Sequence, residues 1–110
     1  MATLTVQTIS RSGLEPSYSS CAGGGDEFAN SGDEFIHIKN GHSSTQTVTI
    51  ETPATVDGLA VADREVAIPA TSERLIGPFP SNTYNDSGGL VQLTYDSVTS
   101  LTIAILEPGS

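Results

Sequence analysis

The sequence predicts an all-β fold, a single small β-sandwich or barrel of about seven to eight short strands, on three observations. Apolar residues recur mostly at period two, which turns one face of an extended strand inward and the other toward solvent. Glycine, proline, asparagine and aspartate clusters punctuate the chain between these runs. No stretch of useful length carries a helical pattern. At 110 residues the chain supports one hydrophobic core and not two, so residues 1–110 are read as one domain.

The first strand, Thr3 to Ile9, sets Leu4 and Val6 on one face. Residues 10–30 follow as a long polar loop or arm rich in Ser, Gly and Ala, and a loop of that length in a compact domain usually serves contact or motion. Glu34 to Asn40 places Ile36 and Ile38 on one face and Phe35, His37 and Lys39 on the other. Thr45 to Thr52 repeats the alternation with Val48 and Ile50 among threonines, which suit a half-exposed pleated surface. Leu59 to Val61 is a short candidate. Glu65 to Pro69 contributes Val66 and Ile68, and Glu73 to Gly77 contributes Leu75. Leu90 to Tyr95 contributes Val91, Leu93 and Tyr95, and Ser97 to Leu106 carries Leu101, Ile103 and Ile105. Turns are expected at 23–26, 30–33, 40–44, 57–58, 78–80 and 85–89. Strand periodicity does not fix strand order: jelly-roll connectivity is favoured and an Ig-like order is the rival.

Thirteen acidic against four basic residues give a net charge of -9, a surface that repels phosphate backbones and anionic headgroups. Nucleic acid and membrane are therefore not expected as partners. No apolar run approaches the roughly 20 residues of a spanning helix, and Met1 to Ser20 lacks the pattern of a signal peptide. The lone Cys21 cannot form an internal disulfide, and with only His37 and His42 beside it the soft ligands are too few for structural zinc.

Gly23 to Phe28 contains the letters GGDEF, the signature of diguanylate cyclases, but those enzymes need a larger mixed domain with long helices that this chain cannot supply. Asp-Glu-Phe recurs at 33–35, so four carboxylates and Asn30 lie close in sequence. Hard oxygen ligands suit Ca²⁺, yet the spacing is not that of an EF-hand loop and adjacent Asp-Glu pairs point to opposite faces of a strand. Cys21, His37 and Asp26 are the nearest approach to a nucleophile, base and orienting carboxylate, with no signature around them. No cofactor, no metal and no catalysis are expected. The absence of Trp and the few tyrosines offer little for a sugar platform. Arg74 beside Leu75 to Pro80 reads as a braced sandwich edge.

Taken together, the strings GDEFANSGDEFIHIKNG, ERLIGPFPSNTYND and VQLTYDSVTSLTIAIL resemble a family of small proteins among the virion genes of tailed bacteriophages. That resemblance implies a capsid decoration, or cement, protein. Such a protein is made in the bacterial host cytoplasm, binds the outer surface of the shell and bridges neighbouring copies of the major capsid protein. It also implies a homo-oligomer, with a trimer favoured. Leu4, Val6, Tyr18, Phe28, Phe35, Arg74, Phe79 and Tyr84 are the expected contact residues, together with the 10–30 segment. The alternative expectation is a phage tail or head-fibre module that binds a host surface glycan, and a Ca²⁺-stabilised adhesion module is the third.

Overall fold

The computed structural model describes residues 2–53, 55–60 and 62–108. The chain opens with β1 (Ala2–Leu4) and β2 (Val6–Thr8), then β3 (Ser19–Ser20), β4 (Asp26–Ala29), β5 (Phe35–Asn40) and β6 (Gln46–Ile50). A small hairpin, β7 (Thr55–Val56) and β8 (Leu59–Ala60), precedes β9 (Arg64–Ile68) and β10 (Glu73–Ile76). One helical turn, α1 (Ser81–Tyr84), leads to β11 (Leu90–Tyr95) and β12 (Leu101–Glu107).

Two sheets form the sandwich, with orders β1-β4-β11-β6-β9 and β10-β5-β12-β2, and β3 shares the β12 edge with β2. Counting β3, β4, β5, β6, β9, β10, β11 and β12 as first to eighth, the first pairs with the eighth, the second with the seventh, the third with the sixth and the fourth with the fifth. All four pairings are antiparallel. The eighth then joins the third and the seventh joins the fourth, again antiparallel. Four ribbons of paired strands wrapped in this way are a jelly roll, and an Ig-like order is excluded. β1 and β2 are additions outside the eight, each parallel to its neighbour, β4 and β12 respectively.

The alternating pattern fills the space between the sheets. Phe28, Val48, Ile50, Ile68, Val91 and Leu93 enter from one sheet, and Ile36, Ile38, Leu101, Ile103 and Ile105 from the other, all essentially inaccessible. Each such side chain contributes about 1.5–3 kcal/mol relative to exposure. Polar ties close the ends. The Asn40 amide donates to the carbonyls of Ser44 and Ile68 at 2.9 and 3.0 Å, while its oxygen accepts from His42 N and Gln46 Nε2, both at 2.9 Å. One side chain at the end of β5 thereby holds strands of the opposite sheet. At the other end Asn30 donates to Phe79 O and Asn85 Oδ1, and Asn85 returns a bond to Asn30 O.

Three local expectations need correction. Thr3 to Ile9 is not one strand: the chain changes sheets at exposed Thr5, and Leu4 and Val6 both pack on the core from different sheets. The 10–30 segment is a loop only in its first part, because Ser19 and Ser20 pair with Ile103 and Thr102 and Asp26–Ala29 lies between β1 and β11. Burial of Phe28 and Asp26 outweighs the polar, glycine-rich composition around them. Leu75 faces out and is 68% exposed, because the register aligns Arg74 with Ile38 and Ile76 with Ile36 on the inner side. The helical turn α1 follows Pro80, whose carbonyl accepts from Thr83 N and Tyr84 N. Of Leu59 to Val61, Leu59 and Ala60 form β8, and Val61 lies outside the described residues.

Candidate interaction surface

Register and burial sort the expected contact residues into three groups. Phe28 and Phe79 are enclosed in the core, with ring centroids 6.0 Å apart, so neither touches a partner and both leave the contact set. Leu4 and Val6 are half-buried against that core. Tyr18, Phe35, Arg74 and Tyr84 remain at least partly accessible, and they occupy three different places.

Tyr18 closes a clasp on the outer face of the second sheet. Its hydroxyl lies 2.6 Å from His37 Nδ1, His37 Nε2 lies 3.0 Å from Glu73 Oε1, and Lys39 Nζ stands 4.0 Å from the centre of the Tyr18 ring. Residues 35, 37 and 39 project outward because β5 alternates, and Glu73 is set opposite Lys39 by the β5–β10 register. Gln7 completes the clasp, donating to Ser17 O at 2.8 Å and accepting from Ser17 N at 2.9 Å. The Tyr–His–Glu order is that of a proton relay, but Tyr18, His37 and Glu73 line none of the four cavities; the one beside the clasp, about 430 Å³, is reached only by its Gln7 and Ser17. Its chemistry is to hold the end of the polar loop on the sheet.

Phe35 and Leu75 form an apolar ledge with Ile76, Pro78 and Pro108 around a cavity of about 340 Å³, with Asp33 as its polar member. The ledge borders β10, which pairs with β5 on one side only and so leaves a strand edge open. In the sequence Leu75 is simply the apolar residue of its strand, and its neighbours in register are what reveal it as surface.

Arg74 lies on the other side of β10. On β9, Arg64 stands opposite Ile50 across the β6 pairing, and Arg74 stands opposite Ile38. Both are thus at inner-face positions of edge strands, one on each sheet, and they flank the open mouth of the sandwich. The cleft there, about 330 Å³, is lined by both arginines with Val66, Ile76, Phe79 and Tyr84 among others, and contains no carboxylate. Tyr84 is braced edge-on by Phe79 at 5.3 Å between centroids. Arg64 and Tyr84 also line an adjoining cavity of about 240 Å³ with Thr52, Asp63, Glu65 and Thr83. Arg64 was not singled out in the sequence, because only the pairing of β9 with β6 brings it beside Arg74.

The sequence trio of Cys21, His37 and Asp26 does not assemble. His37 is engaged in the clasp, whereas Cys21 is buried beside Tyr95 and Asp26 on the core side. Tyr95 donates to Asp26 Oδ2 at 2.7 Å, and Ala22 N donates to the same oxygen at 3.1 Å. Burial pushes the Cys21 thiol up to about 12, and burial, with Cys21 and Asp26 as neighbours, raises Tyr95 as well. A protonated, enclosed thiol is a packing group and not a nucleophile.

The acidic repeats are structural in their placement. Asp26 faces in and Glu27 faces out, where it accepts from Thr3 and Gln92. Glu34 is buried and accepts from the Ser31 backbone at 2.7 Å and its hydroxyl at 2.9 Å. Among the described residues no three ligating side chains converge on a metal position. No helix among them is long and apolar enough to cross a membrane. Comparison with family models, curated proteins and solved structures finds no match to the chain.

Proposed function

We propose that this chain is a structural protein of a tailed-bacteriophage virion, a decoration subunit that binds the outer capsid surface and bridges neighbouring copies of the major capsid protein. The observation that carries the reading is the apolar ledge of Phe35, Leu75, Pro78 and Pro108 beside the open β10 edge. A small jelly roll that leaves Leu75 68% exposed next to unpaired strand hydrogen-bonding groups offers a partner both apolar area and backbone pairing. Of the four accessible members of the contact set, Phe35 and Arg74 sit on or beside that edge, and Tyr18 holds the outer sheet face next to it.

The mechanism is mechanical. Each subunit would span a boundary between capsid proteins through an interface of about 1,600 Å², and many such interfaces oppose the pressure of packaged DNA. The net charge of -9 keeps the subunit off that DNA. A homotrimer fits this role, since a cyclic assembly presents several ledges to the shell at once. Light scattering on the purified chain tests the trimer. Leu75→Glu tests the ledge: it should abolish attachment to expanded capsids while leaving the melting temperature nearly unchanged. Attachment of that variant at wild-type strength would reject the ledge as the contact.

A further inference from the structure

We infer that the mouth between β9 and β10 is a binding cleft for an acidic glycan, a sugar chain in which a single carboxylate, as on a uronic or sialic acid residue, sits among neutral hydroxyls. The inference rests on the cleft alone and stands whether or not the chain belongs to a virion.

Charge placement is the first argument. The chain has four basic residues against thirteen acidic ones, yet Arg64 and Arg74, from different sheets, line one cavity with no carboxylate in its wall. Among the described residues the sole ion pair is His37 with Glu73, so neither guanidinium is paired with a described carboxylate. Arg74 Nη1 reaches only the carbonyl of Glu73, at 2.8 Å. Two arginines on the wall of one cavity, neither in an ion pair among the described residues, suit the planar, two-oxygen geometry of a carboxylate.

Shape and lining give the class of ligand. The arginine cavity shares Arg64 and Tyr84 with the second one, where Thr52, Thr83, Asp63 and Glu65 supply hydroxyls and carboxylates. Asp63 keeps one oxygen on Thr52 N at 2.8 Å. Acceptors of that kind pair with sugar hydroxyls and repel a second anion, so a ligand with dense charge, such as nucleic acid, does not fit. Tyr84 stands at the junction, held by Phe79, as an apolar wall for a pyranose ring. The arginine cavity alone lies within the usual range for small-molecule sites, about 300–1,000 Å³.

The test is calorimetric titration of the full chain with 3′-sialyllactose and with a glucuronate-terminated xylo-oligosaccharide. Lactose and the uncharged xylo-oligosaccharide serve as neutral counterparts, and a Glu-rich peptide represents a protein partner. Binding of an acidic sugar should be at least about tenfold tighter than binding of its neutral counterpart, and should weaken with salt. Arg64→Gln and Arg74→Gln should each lower that affinity about tenfold or more, with circular dichroism and melting temperature confirming an intact fold. Lysine at either position should restore part of the loss. No binding of either acidic sugar up to about 10 mM would overturn the inference. So would equal affinity for neutral sugars, wild-type binding by both glutamine variants, or tighter binding of the peptide, which would assign the cleft to an acidic protein segment.

Discussion

Asn40 is the residue whose loss the fold should feel most for its size. Replacing it with alanine removes two strong amide bonds, to Ser44 O and Ile68 O, and the oxygen that receives His42 N and Gln46 Nε2. The Gln46 amide keeps Thr99 O at 2.6 Å, and the exposed turn at 42–44 can turn to water. One Gln46 proton remains buried without a partner, while the Ile68 carbonyl keeps its place opposite Gln46 in the β6–β9 ladder. The orphan costs about 1–3 kcal/mol and each lost amide bond about 1 kcal/mol, so the variant should lose about 3 kcal/mol. At about 4 °C per kcal/mol for a domain of this size, the midpoint falls by about 12 °C. Asn40→Asp should do worse, because a carboxylate would face the carbonyls of Ser44, Ile68 and Pro69. Urea denaturation followed by circular dichroism measures the loss, with Asn82→Ala on exposed α1 as a control expected within about 0.5 kcal/mol of wild type. A loss below about 1 kcal/mol for Asn40→Ala, or tolerance of aspartate, would refute the idea that this side chain ties the sheets together.

Three further outcomes follow from the structure. Gly25 has φ +99°, and a Cβ there would stand 2.5 Å from Leu93 O, so Gly25→Ala should destabilise by more than about 1 kcal/mol, read from the same denaturation curves. Burial alone would raise the Glu34 carboxyl, but the Ser31 backbone and hydroxyl outweigh it and hold the group below its ordinary 4.5. Leu90 N, Gln92 and Gly88 N hold Asp86 below 3.8. Their stabilisation is fully present above those ordinary values and is lost as pH falls through the lower folded ones. Stability should therefore be level near pH 6 and decline toward about pH 3, with a shallower decline in Glu34→Gln; an unchanged slope in that variant would remove Glu34 from the account. The Cys21 thiol should resist a thiol-specific reagent at about pH 8 and react only in denaturant, and fast labelling of the native chain would contradict its enclosure.

How much was legible in the sequence depended on what each residue's neighbours were. Ile36, Ile38, Val48, Ile50 and the Leu101–Ile105 series announce their strands because alternation on a half-buried sheet is a local property. The strand that carries Asp26 and Phe28 was hidden in a glycine-rich, acidic string, since a short strand wedged between two others needs only one large apolar residue to be fixed. Leu4 and Val6 share a face in an extended chain but belong to different sheets, because the crossing at Thr5 is decided by the partners β4 and β12. The jelly-roll order was favoured over an Ig-like one without any residue pattern that fixes it, and the pairings supply it. Of the contact residues, Phe35, Arg74 and Tyr84 reach the surface features that matter, but Leu75, Arg64 and the Tyr18–His37–Glu73 clasp are products of register. No local pattern assigns a lone leucine on an edge strand to the outside or sets two distant arginines across one cleft.

Co-sedimentation of the purified chain with expanded, DNA-free capsids of a tailed phage, the assembly that the proposed reading assigns it to, tests the proposed function most directly. Stoichiometric pelleting at micromolar concentration, lost in Leu75→Glu and absent with unexpanded shells, is the result the account predicts. A chain that stays in the supernatant with expanded shells would contradict it.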